Sequence, residues 1–121
     1  MIGENLDARM IVEERQYSIL PRNKAAFWQN YRDVGLPVQT RFLPAPIGFF
    51  FVDIGLTATF VHMWAYNSYA HRDTCREALD GCKEWCDYVV TAHSFIERID
   101  IRILKTLDTE YALLNRKPLN I

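Results

Sequence analysis

Hydrophobic and polar residues follow two different periods along this chain, and one stretch is apolar on both sides. Residues 60–66 read as a strand with Phe60, His62, Trp64 and Tyr66 on one face. Val61, Met63 and Ala65 lie on the other face. A strand at the surface would alternate apolar with polar side chains, so the pattern predicts a central strand with cover on both faces.

Three further segments, 10–19, 47–53 and 96–104, are predicted as strands, and 24–34, 69–79 and 82–92 as helices. The first helix has a predicted buried stripe, and Gly35 followed by Pro37 predicts its end. Asn23 is the predicted cap of the first helix, and Asn67 or Ser68 that of the second. The predicted stripe consists of Phe27, Trp28, Tyr31 and Val34.

The order strand, helix, strand, strand, helix, strand predicts an α+β domain of the ferredoxin-like βαββαβ type. We expect a flexible leader over 1–9, the domain over 10–104 and a tail of undefined structure over 105–121. The first and last strands should be antiparallel neighbours. Glu13 and Arg15 would then face a charged row on the last strand, which consists of Arg98, Asp100 and Arg102.

Two helical regions can cover only one face of such a sheet. Phe50 and Met63 would need cover on the opposite face from Phe49 and Trp64. Leaving such side chains in water costs on the order of 1.5–3 kcal/mol each. The pattern therefore predicts a homodimer in which two sheets pack face to face.

Composition narrows the class of protein. The 121 residues carry a net charge of −1 without a basic block, which argues against a nucleic-acid partner. The longest apolar run, near 45–52, is far shorter than the roughly 20 residues of a membrane helix, so no membrane span is expected. The first ten residues lack a signal-peptide core, and three cysteines fit reduced thiols, so we expect a cytoplasmic protein.

The chain resembles the NIPSNAP family in a set of residues spread over 10–104. The most specific part is the spacing His62-x-Trp64-x-Tyr66 followed by Arg72. The others are Glu13, Arg15, Tyr17, Phe27, Tyr31, Gly35, Leu36, Pro37, Gly48, Phe49, Arg76, Leu79, Trp85, Arg102, Ile103 and Leu104. The resemblance implies a dimeric α+β barrel, a fold shared with cofactor-free monooxygenases and ligand-binding modules. It implies no enzymatic activity, because the family has none that is agreed.

His62, Trp64, Tyr66 and Tyr17 are candidates for a pocket between sheet and helices. A buried histidine can transfer a proton, and aromatic walls can hold a flat organic ligand. The alternative is that these side chains only pack in the core. Arg72, together with His71 and Arg76 in the first turns of the second helix, is a candidate anchor for a carboxylate or phosphate. The alternative is that Arg72 pairs with Asp53 or Glu13.

His71, Cys75, Cys82 and Cys86 have helical spacing, but the Asp80-Gly81 break separates the two pairs. An apolar stripe explains these cysteines better, so we predict no metal and no cofactor. The leading hypothesis is a homodimer that binds a small apolar or aromatic molecule. The alternatives are a cofactor-independent monooxygenase or isomerase that uses His62, and a structural homodimer without a ligand.

Overall fold

The computed structural model describes residues 10–56 and 58–107. Its strands are β1 (Ile11–Ile19), β2 (Pro46–Phe51), β3 (Thr59–Tyr66) and β4 (Ile96–Lys105). They form one four-stranded antiparallel sheet in the order β2-β3-β1-β4. This order confirms the predicted ferredoxin-like α+β fold. The predicted leader, and the tail beyond residue 107, lie outside the described residues.

The first helical region is longer and less regular than its sequence pattern predicts. A 3-10 turn (Pro21–Asn23) leads into α1 (Lys24–Asn30), a π-helical turn (Tyr31–Gly35) and α2 (Leu36–Phe42). The predicted stop at Gly35 is wrong, because Pro37 lies in the first turn of α2, where its missing N–H costs no hydrogen bond.

The π-helical turn also explains an error in the predicted buried stripe. Phe27 and Tyr31 are buried as expected, but Val34 is 46% exposed. Val34 lies within this turn, and a π turn has more residues per turn than an α-helix, so the side chains within and after it point in other directions than an α-helical period predicts. Gly35 is required here by close packing, since a Cβ on it would lie 2.5 Å from Cζ of Tyr88.

The second helical region is α3 (Tyr69–Asp80) and α4 (Lys83–His93), separated at the predicted break by Gly81. Ser68 caps α3, because its Oγ accepts a hydrogen bond of 3.0 Å from the backbone N–H of His71. Asn23 precedes α1, but its side chain makes no capping hydrogen bond. None of the helices in the described ranges is long and apolar enough to cross a bilayer.

The core lies between the helices and one face of the sheet. Phe60, His62, Trp64 and Tyr66 of β3 all point into it and are fully buried. Phe60 is central to an aromatic cluster, with ring centroids 5.1 Å from Phe27 and 5.4 Å from Tyr31. Edge-to-face pairs at such distances add about 0.5–1.5 kcal/mol each to the stability from buried area.

The register between β1 and β4 corrects one prediction. Glu13 faces Ile103 and Arg15 faces Ile101, so the expected pairing of these charges with Arg98, Asp100 and Arg102 is wrong. Glu14 faces Arg102 instead, and Nε of Arg102 donates to Oε1 of Glu14 at 2.6 Å. A shift of one residue moves every side chain of a strand to the other face, and alternation alone does not fix that choice.

The sheet face away from the helices is partly apolar. Phe50 on β2 is 52% exposed, and Val61 and Met63 on β3 are half-buried. Val12 and Ala65 on the same face are buried. This second face therefore combines apolar side chains near β2 with the Glu14–Arg102 ion pair near β4.

Candidate functional site

His62 lies at the centre of the helix-facing side of the sheet. Its side chain is fully buried, and its Nδ1 accepts a hydrogen bond of 2.8 Å from the indole Nε1 of Trp64. Because Nδ1 is the acceptor, the neutral ring carries its proton on Nε2. Burial, and then the positive charges of Arg15 and Arg76, hold the pKa of His62 well below its usual value.

Nε2 of His62 has no hydrogen-bond partner within the described ranges. Aromatic rings surround the imidazole instead, with centroids at 5.0 Å for Tyr17 and 5.8 Å for Tyr31. A neutral imidazole that retains a proton on Nε2 could donate it to a neighbour. In the present arrangement it packs as a core side chain.

Glu13 is a fully buried carboxylate held by two guanidinium groups. It accepts hydrogen bonds from Nη1 of Arg15 at 2.7 Å and from Nη2 of Arg72 at 2.9 Å. Burial alone would raise the pKa of Glu13, but the hydrogen bond from Arg72 and the charge of Arg15 outweigh it, so the pKa is lowered. Of the two roles considered for Arg72, the structure shows the ion pair with Glu13, which fixes α3 against β1.

A cavity of about 170 Å³ lies between the sheet and the helices. Its floor comes from β1 and β4, and its walls from α3, α4 and the region around the π-helical turn. Aromatic side chains provide much of its lining. They are Tyr17, Tyr31, Trp85 and Tyr88.

The cavity also has polar lining residues. Arg15 and Arg76 bring two positive charges to it. Gln39 brings a buried amide, and its Oε1 accepts a hydrogen bond from the hydroxyl of Tyr31. Asp80 and His93 line it as well, and both are solvent-exposed. Arg15 is further oriented by a hydrogen bond of 3.0 Å from its Nε to the hydroxyl of Tyr17.

The predicted site residues divide between the cavity and its surroundings. Tyr17 lines the cavity, whereas His62, Trp64, Tyr66 and Arg72 lie outside its lining. Tyr17 connects the two groups, because its ring contacts His62 and also faces the cavity. The hydroxyl of Tyr66 is buried without a partner in the part of the chain that is described, and burial followed by the charge of Glu13 raises its pKa to about 12.

Several cavity residues were not predicted as site residues, although the sequence contains a signal for some. Trp85, Tyr88, Val89 and Ala92 follow the spacing of one helical face on α4, and that face lines the cavity. Val90, the next residue after Val89 on α4, is 75% exposed. Arg76 lies one helical turn after Arg72 on α3, so both guanidinium groups approach the sheet from the same side.

The cysteines are not brought together. Leu79 is buried, Cys75 and Cys82 are half-buried, and Cys86 is exposed with its thiol donating to the carbonyl of Asp80. Among the described residues no group of three potential metal ligands occurs.

Solved structures with the same fold include proteins of this size. A NIPSNAP family protein from Agrobacterium tumefaciens is 32% identical and superposes with a TM-score of 0.80 over 85% of this chain and 96% of its own. An uncharacterized NIPSNAP-like domain protein from Burkholderia xenovorans is 34% identical, with a TM-score of 0.76 over 80% of this chain and 84% of its own. A putative antibiotic biosynthesis monooxygenase from Nitrosomonas europaea shares the fold at 17% identity, with a TM-score of 0.62 over 83% of this chain and 92% of its own.

Among curated proteins, human protein NipSnap homolog 3B is 34% identical over 89 residues. That match covers 73% of this chain and 34% of the human protein, so this chain spans about a third of its curated relative. The sequence model of the NIPSNAP family matches residues 12–109, which include all the strands and helices described above apart from Ile11, the first residue of β1. The chain belongs to the NIPSNAP family.

Proposed function

We propose that this NIPSNAP protein binds a small single-ring organic molecule in the cavity between its sheet and its helices. The cavity and its lining of aromatic side chains are the observation that carries this proposal. An apolar cavity of about 150 Å³ in another protein is large enough for benzene. A volume of about 170 Å³ therefore fits one ring with a small substituent, and not a polycyclic compound.

The lining chemistry supports a flat ligand. Tyr88 and Trp85 are buried on one side, and Tyr17 and Tyr31 supply two further rings from the sheet and the π-helical turn. Aromatic rings bind other rings through offset or edge-to-face contacts and exclude water from them. The polar groups at one end would orient the ligand.

A cavity-filling substitution tests the proposal. Val89 lines the cavity, whereas its neighbour Val90 points to solvent, so Val89→Phe should fill the site and Val90→Phe should not. We expect benzyl alcohol to shift amide resonances of the wild type and of Val90→Phe, and Val89→Phe to weaken binding at least about 10-fold. Absence of ring binding by the wild type, or equal binding by both variants, would contradict the proposal.

We also infer that the protein is a homodimer. Phe50, Val61 and Met63 place apolar surface on the sheet face that lies away from the helices. A two-fold axis would bury this face against the identical face of a second copy, so that each copy covers the apolar surface of the other. Sheet-to-sheet packing would leave the ligand cavity on the helix side of each subunit.

One observation favours a reaction that uses His62 as a second function. The neutral imidazole of His62 has an unpartnered Nε2, and Tyr17 contacts both that ring and the cavity. Trp64 occupies the basic Nδ1, so after a movement of the Tyr17 ring Nε2 would donate a hydrogen bond to a bound ligand and polarise it. If a ligand is turned over, His62→Ala should remove turnover and leave affinity unchanged; turnover equal to the wild type would eliminate this hypothesis.

A further inference from the structure

The guanidinium group of Arg76 lines the cavity and lacks a hydrogen-bond partner for one of its nitrogens. Its Nη1 is buried and has no hydrogen-bond partner among the residues of the described ranges. Arg76 also forms no ion pair with a carboxylate of those ranges, although Asp80 lies one turn further along α3 and lines the same cavity. The side chain as a whole is half-buried and lines the cavity, so a guanidinium without an ion pair there is available to a negatively charged molecule that enters the cavity.

The neighbouring charges do not compensate Arg76. Arg15 and Arg72 share one buried carboxylate, that of Glu13. Two positive charges against one negative charge leave an excess of positive charge on this side of the cavity. Asp73 contacts Arg72 at 3.5 Å, but its side chain is largely in solvent and is screened. Asp80 is also exposed, so bulk water solvates its carboxylate and screens its negative charge.

A water molecule could accept the hydrogen bond from Nη1, but it would not balance the charge. A carboxylate does both, because its oxygens accept from a guanidinium in a planar, charge-assisted arrangement. The lowered pKa of His62 is consistent with the same local excess of positive charge, since Arg15 and Arg76 both contribute to that shift after burial. Positive charge and aromatic rings in the lining of one cavity together define the ligand class.

We propose that the ligand is a single-ring aromatic carboxylate, with its carboxylate on Arg76 and its ring among Tyr17, Trp85 and Tyr88. This inference rests on the proposed function. It adds the negative charge of the ligand and the residue, Arg76, that binds this charge. Arg72, which the sequence nominates as an anion anchor, instead holds Glu13 and so positions α3.

Benzoate and benzamide test the proposal, because they have nearly the same shape and differ in charge. We expect the wild type to bind benzoate about 10- to 100-fold more tightly than benzamide in an NMR titration, as a charge-assisted hydrogen bond predicts. In Arg76→Gln the two affinities should become equal. Arg22→Gln, which removes the same charge at an exposed position outside the cavity lining, should retain the wild-type preference.

The other outcomes separate the two proposals. Equal binding of both compounds by the wild type would overturn the carboxylate assignment and leave ring binding in place. A preference for benzoate that survives in Arg76→Gln would refute Arg76 as the anchor. If neither compound binds, both proposals fail. If Arg76→Gln does not fold, Arg76→Lys keeps the charge without the planar pair of donors, and it should reduce the preference partially.

Discussion

Trp64 donates a hydrogen bond of 2.8 Å from its indole Nε1 to Nδ1 of His62, two residues away on the same face of β3. Both side chains are fully buried, so neither group can exchange this bond for one to water. The bond also determines which nitrogen of His62 carries the proton. A pair on one strand thus fixes the chemical state of the most buried titratable base in the core.

Replacing Trp64 by Phe should destabilise the protein beyond the loss of apolar area. The substitution leaves Nδ1 of His62 buried without its donor, which costs about 1–3 kcal/mol. Trp28→Phe is the matched control, since Trp28 packs against the same core without a hydrogen bond to other described residues. Urea unfolding should show the larger loss for Trp64→Phe; equal losses would mean that the bond contributes nothing.

Stability should fall on acidification below about pH 6.5 because of His62. Its pKa in the folded state is depressed, so between that value and about 6.5 the unfolded chain binds more protons than the folded one. The free energy of unfolding should then decrease by up to about 1.4 kcal/mol per pH unit in this window. Glu13, whose pKa is also lowered, adds a loss in the same direction at lower pH, below about 4.5.

Comparing slopes isolates the contribution of His62. Urea unfolding of His62→Gln between about pH 5 and pH 7 should show a clearly flatter dependence than the wild type, whatever its absolute stability. The matched control is His93→Gln, which removes an exposed histidine in place of the buried one. A wild-type slope in His62→Gln would show that other groups carry the dependence.

Adding one methyl group at Gly35 should be costly. A Cβ there would lie 2.5 Å from Cζ of Tyr88, and Tyr88 is buried against the cavity. The ring must move, so Gly35→Ala should destabilise by about 1–3 kcal/mol. At Gly81 the nearest atom to an added Cβ is 3.6 Å away, so Gly81→Ala should cause little loss in thermal unfolding. A similar effect of the two substitutions would exclude the steric explanation.

A charge at Phe50 should separate the proposed dimer. Phe50 is 52% exposed on the outer sheet face, and a glutamate there would have to be desolvated against its counterpart. Light scattering of the wild type should give twice the mass of one chain, and Phe50→Glu should give the mass of a single chain. Val90→Glu, on the exposed side of α4, should leave the mass unchanged. A wild type that is monomeric when dilute would disprove the dimer.

The sequence predicts the sheet better than the first helical region. Residues 60–66 are apolar on both faces, and they form the central β3 strand with little change in bounds. Gly35 and Pro37 look like a helix end because local preferences favour a stop there. At the end of the observed π-helical turn Gly35 packs closely against Tyr88, a residue far away in the sequence, and no local pattern contains that contact.

The predicted site residues on β3 lie one strand away from the cavity, and their role stays a prediction. Aromatic residues on β3 are easily recognised in the sequence, and Tyr17 on β1 contacts one of them, His62. The cavity lies over β1 and β4, because the position of α4 against the sheet determines where space remains. The neighbouring α3 is held against β1 by the ion pair of Arg72 with Glu13, and this pairing could not be chosen from the sequence while several acids were available.

The shared carboxylate of Glu13 has a consequence for any ligand of Arg76. Arg72 and Arg76 lie on adjacent turns of α3. The hydrogen bond from Arg72 to Glu13 fixes the position of this helix, and the helix position sets how far Arg76 reaches toward the cavity. Glu13 does not line the cavity itself, although Arg15, which donates a hydrogen bond to it, does. Affinity for an anion would therefore vary with changes at Glu13 by remote thermodynamic coupling, transmitted as a displacement of α3.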